Sequence, residues 1–243
     1  MPLPARLAGH RPPTSARPLP THRQPGPWGD SRRVRIGLLG GSFNPAHEGH
    51  RHVAEIARRA LRLDEVWLLV SPGNPLKPRA GMARFAERLE SARRIADGRR
   101  ILATDIEARL GLRETERTLA RLRRRFPRAR FVWIMGADNL SQLPRWRRWR
   151  RLARRTPIAV LPRPGWTRRA MHGSAATVLR RHRRPCGALL SGASGIHAPW
   201  CMIPAREHPA SATAIRARLS QRATAGGDSH SPLILPAAPA EAR

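Results

Sequence analysis

Between residues 34 and 70 the chain is apolar, then helical in pattern, then apolar again, and nothing else narrows its fold as much. Val34-Arg35-Ile36-Gly37-Leu38-Leu39 reads as a short buried strand. His52–Leu63 carries Val53, Ile56, Ala57, Ala60 and Leu61 at helical spacing. Glu65-Val66-Trp67-Leu68-Leu69-Val70 is a second buried strand. Strand, helix and strand within about forty residues make a βαβ unit, and such units build parallel sheets.

The alternation continues. Arg84–Ala96 reads as a helix with Leu89, Ala92, Arg93 and Ala96 on one face, Ile101–Ile106 as a strand, and Thr115–Arg125 as a helix with Leu119 and Leu122 inward. Phe131–Met135 and Pro157–Leu161 are further strands, and Trp200–Ile203 a last one. Trp166–Arg184 is either helical or a loose surface segment, and Ser211–Leu219 opens as a capped helix. The fold class is therefore α/β, a Rossmann-like three-layer sandwich with a mainly parallel sheet. Ligands of such sheets bind outside the carboxyl ends of the strands.

Composition sets the boundaries. Residues 1–31 are rich in Pro and Arg without apolar periodicity, and read as a disordered extension or an over-extended start. Residues 32–222 hold the domain, and 223–243 read as a disordered tail. The net charge is +31, and Lys77 is the only lysine. Charge of that size can signal nucleic-acid binding. The arginines, however, are spread over helices, loops and tails, which fits coding bias and small anionic substrates, and no nucleic-acid partner is expected. Cys186 and Cys201 are too few for a disulfide framework, no run is long and apolar enough to span a membrane, and a cytoplasmic location is expected. The oligomeric state is not legible.

Chemistry concentrates after the first strand, in Gly40-Gly41-Ser42-Phe43-Asn44-Pro45-Ala46-His47-Glu48-Gly49-His50. Paired glycines let backbone approach a ligand, and a helix N-terminus presents unpaired N–H groups that suit phosphate. The third glycine of a dinucleotide fingerprint is absent, as is the Gly-Lys-Ser/Thr of a P-loop. A zincin needs a histidine four residues after His47, where Arg51 stands. The His-x-x-His pair on its own fits a metal, an anion or a helix cap.

The whole stretch resembles the Gly-Gly-Ser/Thr-Phe-Asp/Asn-Pro-x-His-x-Gly-His signature of bacterial nicotinate-nucleotide adenylyltransferases, within the nucleotidyltransferase superfamily. The resemblance implies adenylyl transfer from ATP to nicotinate mononucleotide, with Mg²⁺ carried by ATP. It implies that His47 and His50 act on phosphate and that Gly40, Gly41, Ser42 and Phe43 bind ATP. Asn44 falls on the substrate side, as does Lys77 in Asn74-Pro75-Leu76-Lys77, otherwise an ordinary loop lysine. Gly136-Ala137-Asp138 resembles the family's Gly-Ala/Gln-Asp segment and assigns Gly136 and Asp138 to ATP, although Asp138 also fits an N-cap.

Leu143-Pro144-Arg145-Trp146 resembles the segment whose tryptophan stacks near the pyridine ring, although Trp146 and Trp149 also fit a packed helical face. Arg163 lies in an Arg-Pro-Gly turn that resembles the one beside adenine, and Ser211, Thr213 and Arg216 match the Ser-Ser/Ala-Thr-x-Ile-Arg motif for the β- and γ-phosphates. Thr115 falls on the pyridine-nucleotide side. There the chain departs from the family: Arg113-Glu114-Thr115 replaces a Tyr-Thr pair, and Arg117 stands where an acid is expected. Glu114 is expected to face solvent, since an inward carboxylate would repel nicotinate. Other acceptors, nicotinamide mononucleotide or phosphopantetheine, stay open, as does a basic nucleic-acid-binding protein.

Overall fold

A computed structural model of the chain describes residues 24–73, 80–191, 197–208, 210 and 212–225. Six strands form one sheet: β1 (Arg35–Gly41), β2 (Glu65–Val70), β3 (Ile101–Thr104), β4 (Arg130–Gly136), β5 (Ile158–Leu161) and β6 (Trp200–Met202). Their order is β3-β2-β1-β4-β5-β6 and every pairing is parallel. Parallel sheets are covered on both faces, and these strands are accordingly near-continuous apolar runs, β2 being buried at all six positions.

Side-chain alternation divides the core. Ile36, Leu38, Trp67, Leu69, Trp133 and Met135 face one side. Leu39, Val66, Leu68, Val70, Val132 and Ile134 face the other. The second side is covered by α1 (Glu48–Ala60) and α2 (Phe85–Ile95), through Ala54, Ala57, Leu89, Ala92 and Ile95. The first is covered by α3 (Ile106–Arg109), α4 (Thr115–Arg125), α5 (Ala137–Gln142), α6 (Trp149–Arg155), α7 (Thr167–Met171) and α8 (Ser174–Leu179). The last helix, α9 (Ala212–Ala225), follows β6. Among the described residues no helix is long and apolar enough to cross a membrane.

Several elements depart from the sequence reading. α1 starts at Glu48, four residues before the apolar period. Its first turn lines a cavity rather than the core, so capping and not apolar spacing marks its start. The third strand stops at Thr104, and α3 follows at once, with Thr104 Oγ1 accepting from the Ile106 N–H at 3.1 Å. Gly136-Ala137-Asp138 is a strand end running straight into α5, not a loop. Trp166–Arg184 resolves into α7, α8 and one 3-10 turn. Composition assigns residues 24–31 to the disordered extension, yet here they lie against α3 and α4. The Pro25 carbonyl accepts from Arg109 at 2.9 Å and the Pro27 carbonyl from Arg125. α9 runs to Ala225, past the boundary placed at 222.

Candidate active site

β1 is flanked by β2 on one side and β4 on the other, so the strand order reverses between β1 and β4 and leaves a crevice at their carboxyl ends. Two cavities open there. The larger, about 440 Å³, lies among Gly40–Asn44, His47, His50, Gly136, Asp138, Arg163, Thr213 and Arg216. The smaller, about 220 Å³, is lined by Glu107, Arg113, Glu114, Thr115, Trp133, Arg145, Trp146 and Arg147. Gly40, Gly41, Ser42 and Asn139 line both, so the glycine loop is their common wall. A Cβ on Gly40 would overlap the Trp133 indole, which is why that wall is bare backbone.

The histidine pair is both a helix cap and a pair of cavity-facing rings. His47 is the N-cap of α1 and accepts from the Gly49 N–H on Nδ1 at 3.1 Å; His50 accepts from the His47 N–H on its own Nδ1 at 3.2 Å. With Nδ1 an acceptor, the proton of each neutral ring sits on Nε2. His47 is 6% exposed, and its Nε2 is buried without a hydrogen-bond partner among the described residues. A buried donor left unpaired costs stability, and a phosphate oxygen in the cavity would satisfy it. Burial, then the nearby Arg163 and His208, hold the His47 pKa down at about 4. The ring is therefore a neutral donor at physiological pH. Because the unfolded chain protonates first, the fold loses stability as pH falls from 6.5 toward 4. In an NMR titration of the ligand-free protein, His47 is expected to stay neutral at pH 6; an imidazole titrating near 6.5 would contradict this.

The crevice gathers most of the residues singled out in sequence. Asp138 lies in the first turn of α5, whose N-cap is Gly136, so it is not the cap. Arg216 donates to the Asn44 carbonyl at 2.7 Å and to Thr213 Oγ1 at 3.3 Å, tying α9 to the glycine loop. Ser42 Oγ is buried without a partner among the described residues, again on the cavity wall. Asn44, expected on the substrate side, lines the larger cavity, and its amide donates to the Gly81 carbonyl at 2.8 Å and accepts from the Ala83 N–H at 3.1 Å, which fixes the loop. Trp146 is not on a helical face. It sits between the 3-10 turn Leu143–Arg145 and α6, edge-on to Trp133 at 6.1 Å. Lys77 and Ser211 lie outside the described residues.

Three residues at the site were not singled out in sequence. Arg88 of α2 is 3% exposed and donates to the carbonyls of Ser42 at 2.7 Å, Ser71 at 2.8 Å and Ala83 at 3.1 Å. It clamps the loops after β1 and β2 from beneath. Its signal was its place one turn before Ala92 on the buried face, masked by the number of arginines elsewhere. Trp133 lines the smaller cavity and has a buried indole N–H with no partner among the described residues. Glu107 lines the same cavity while 6% exposed.

Comparison with known proteins agrees with this geometry. The cytidylyltransferase-like family model matches residues 38–218. A Gluconobacter oxydans protein named "Probable nicotinate-nucleotide adenylyltransferase" is 61% identical over 75% of this chain and 94% of its own length. One of the same name from Gluconacetobacter diazotrophicus is 55% identical over 78% and 88%. The chain belongs to the nicotinate-nucleotide adenylyltransferase family. A solved Plasmodium falciparum nicotinic acid mononucleotide adenylyltransferase in complex with NaAD shares the fold, with a TM-score of 0.58 at 15% identity over 76% of this chain and 83% of that one.

In this member of the nicotinate-nucleotide adenylyltransferase family, Glu114 does not face solvent as expected but lines the smaller cavity. Its carboxylate is paired with Arg147 at 3.0 Å and Arg117 at 3.4 Å, so an inward position no longer leaves a bare negative charge. Arg113 and Arg145 line the same wall with no carboxylate partner among the described residues.

Proposed function

We propose that the protein transfers the adenylyl group of MgATP to nicotinate mononucleotide, releasing pyrophosphate and forming nicotinate adenine dinucleotide, in the cytoplasm. The observation that carries this reading is the pair of cavities sharing one glycine wall, with the histidine pair and Arg216 in one and arginines with Trp146 in the other. Two phosphates brought to that wall meet end to end.

The acceptor phosphate is already an anion, so positioning and charge stabilisation carry the rate and no protein nucleophile is needed. Its oxygen bonds to the α-phosphorus as the bond from that phosphorus to pyrophosphate breaks. His47 Nε2–H and His50 donate to phosphate oxygens as charge moves to the leaving group. Arg216 and Thr213, with Ser211, take the β- and γ-phosphates, while Asp138 and Arg163 flank the adenosine. Trp146 stacks against the pyridine ring beside Thr115, and Lys77 is assigned to phosphate. Mg²⁺ arrives with ATP, held by triphosphate oxygens and water.

The test is product formation from ATP, Mg²⁺ and each acceptor in turn: nicotinate mononucleotide, nicotinamide mononucleotide and phosphopantetheine. Nicotinate mononucleotide is expected to give dinucleotide and pyrophosphate at the highest kcat/KM. A folded protein that prefers either other acceptor would overturn the reading.

A further inference from the structure

Glu107 is an unusual group to find under an anion-binding cavity. It sits in α3 at 6% exposure, on the wall that also carries Thr115 and Trp146. Thr118 Oγ1 lies 2.9 Å from Glu107 Oε1 and 3.2 Å from the Glu114 carbonyl oxygen. An ionised carboxylate and a carbonyl are both acceptors, and a hydroxyl has one proton to give. With Glu107 ionised, the one hydroxyl proton is shared between the two acceptors; with Glu107 protonated, the carboxyl can donate to Thr118 Oγ1 while Thr118 donates to the Glu114 carbonyl, a relay of two full bonds.

We infer that Glu107 is a specificity-determining residue: held protonated beneath the acceptor cavity by its burial, it admits an anionic acceptor, and its ionisation repels one. The inference rests on the adenylyl-transfer reading above and identifies what sets acceptor binding within it.

The surrounding charges leave the proton in place. On its own element, Asp105 pairs with Arg109 at 2.7 Å. On α4, Glu116 pairs with Arg151 at 2.9 Å and Arg117 with Glu114 at 3.4 Å. Across the cavity Arg147 pairs with Glu114, and Arg113 and Arg145 line the wall. None forms an ion pair with Glu107 among the described residues. Burial pushes its carboxyl up to about 7, against the Thr118 hydrogen bond, which pulls the other way. The relay also joins this acid to the turn that precedes Thr115, so loss of the proton frees Thr118 to swing from the Glu114 carbonyl to the carboxylate.

The test compares wild type with Glu107→Gln, a neutral near-isostere, between pH 6 and 8.5. Calorimetry reads the Kd for nicotinate mononucleotide, and the product assay reads KM for that acceptor and for ATP. Wild type is expected to weaken about tenfold toward the acceptor relative to Glu107→Gln as pH rises, with KM for ATP parallel in the two. The acceptor's own phosphate titrates near pH ~6 in both experiments, so the difference between the proteins is the readout. Glu107→Gln should also melt like wild type at pH 5 and higher than wild type at pH 8.5, where only wild type buries a charge. Should that variant fold poorly, Thr118→Val, which removes a bond that favours the ionised form, is expected to move the wild-type weakening to higher pH.

Dinucleotide formation with parallel pH profiles would overturn the role of Glu107 and leave the adenylyl-transfer reading standing. No binding and no product at any pH, from folded protein, would overturn that reading and the inference with it.

Discussion

His47→Asn is expected to lower kcat about 10²–10³-fold, the usual loss for one preorganised donor to a developing charge, while the protein melts close to wild type. The two effects separate because the ring's two nitrogens have different work. Nδ1 caps α1 by accepting from the Gly49 N–H. Asparagine is among the best N-caps, and its side-chain oxygen can take that bond. Nothing in asparagine reaches the position of Nε2, the buried donor with no partner among the described residues. His47→Ala loses both functions, and should add a stability loss of about 1 kcal/mol to the same fall in turnover. Near-normal turnover in His47→Asn would mean that the ring is a cap and nothing more.

Arg88→Met is expected to lower the melting temperature by roughly 10 °C, from about 3–5 kcal/mol lost at 2–4 °C per kcal/mol for a domain of this size. The buried guanidinium serves the Ser42, Ser71 and Ala83 carbonyls. Methionine fills much of the volume but leaves those acceptors unserved, and each stranded acceptor costs about 1–3 kcal/mol before the loops relax. Because Ser42 and Asn44 belong to the glycine loop, KM for ATP should rise as well. Arg88→Lys keeps the charge without the planar fork and should recover part of both losses. A melting temperature within about 2 °C of wild type in Arg88→Met would show that the loops hold without the clamp.

What could be read in advance follows from where each signal lives. The strands were legible because both faces of a parallel sheet are buried, leaving apolar runs such as Glu65–Val70. α4 was legible to the residue because Leu119 and Leu122 mark its inner face. α1 was misplaced at its start because its first turn faces the cavity, where a helix is announced by its cap and not by apolar spacing, and α5 was not read as a helix at all. α3, four residues long, is too short to show a period.

At the site, His47, His50, Gly40, Gly41, Asp138, Arg163 and Arg216, all found by local motifs, line the larger cavity, and Thr115 and Trp146 line the smaller. Partnerships between distant segments were not legible. Asn44 is consumed by Gly81 and Ala83, and Glu114 is neutralised by Arg147. Arg88, alike in type to the surface arginines around it, differs from them only by its burial beneath a loop. The histidine alternatives were a metal, an anion or a helix cap; the geometry shows the cap, and the cap orients the nitrogen that faces the cavity.

The most direct measurement of the central claim is the stereochemistry of transfer. ATP made chiral at the α-phosphorus with sulfur is incubated with nicotinate mononucleotide and Mg²⁺, and the dinucleotide is analysed by phosphorus NMR. Direct attack at the seam between the two cavities predicts a dinucleotide inverted at that phosphorus. Retention would require a covalent intermediate on the protein, and the absence of dinucleotide would remove the reaction itself; either result contradicts the account.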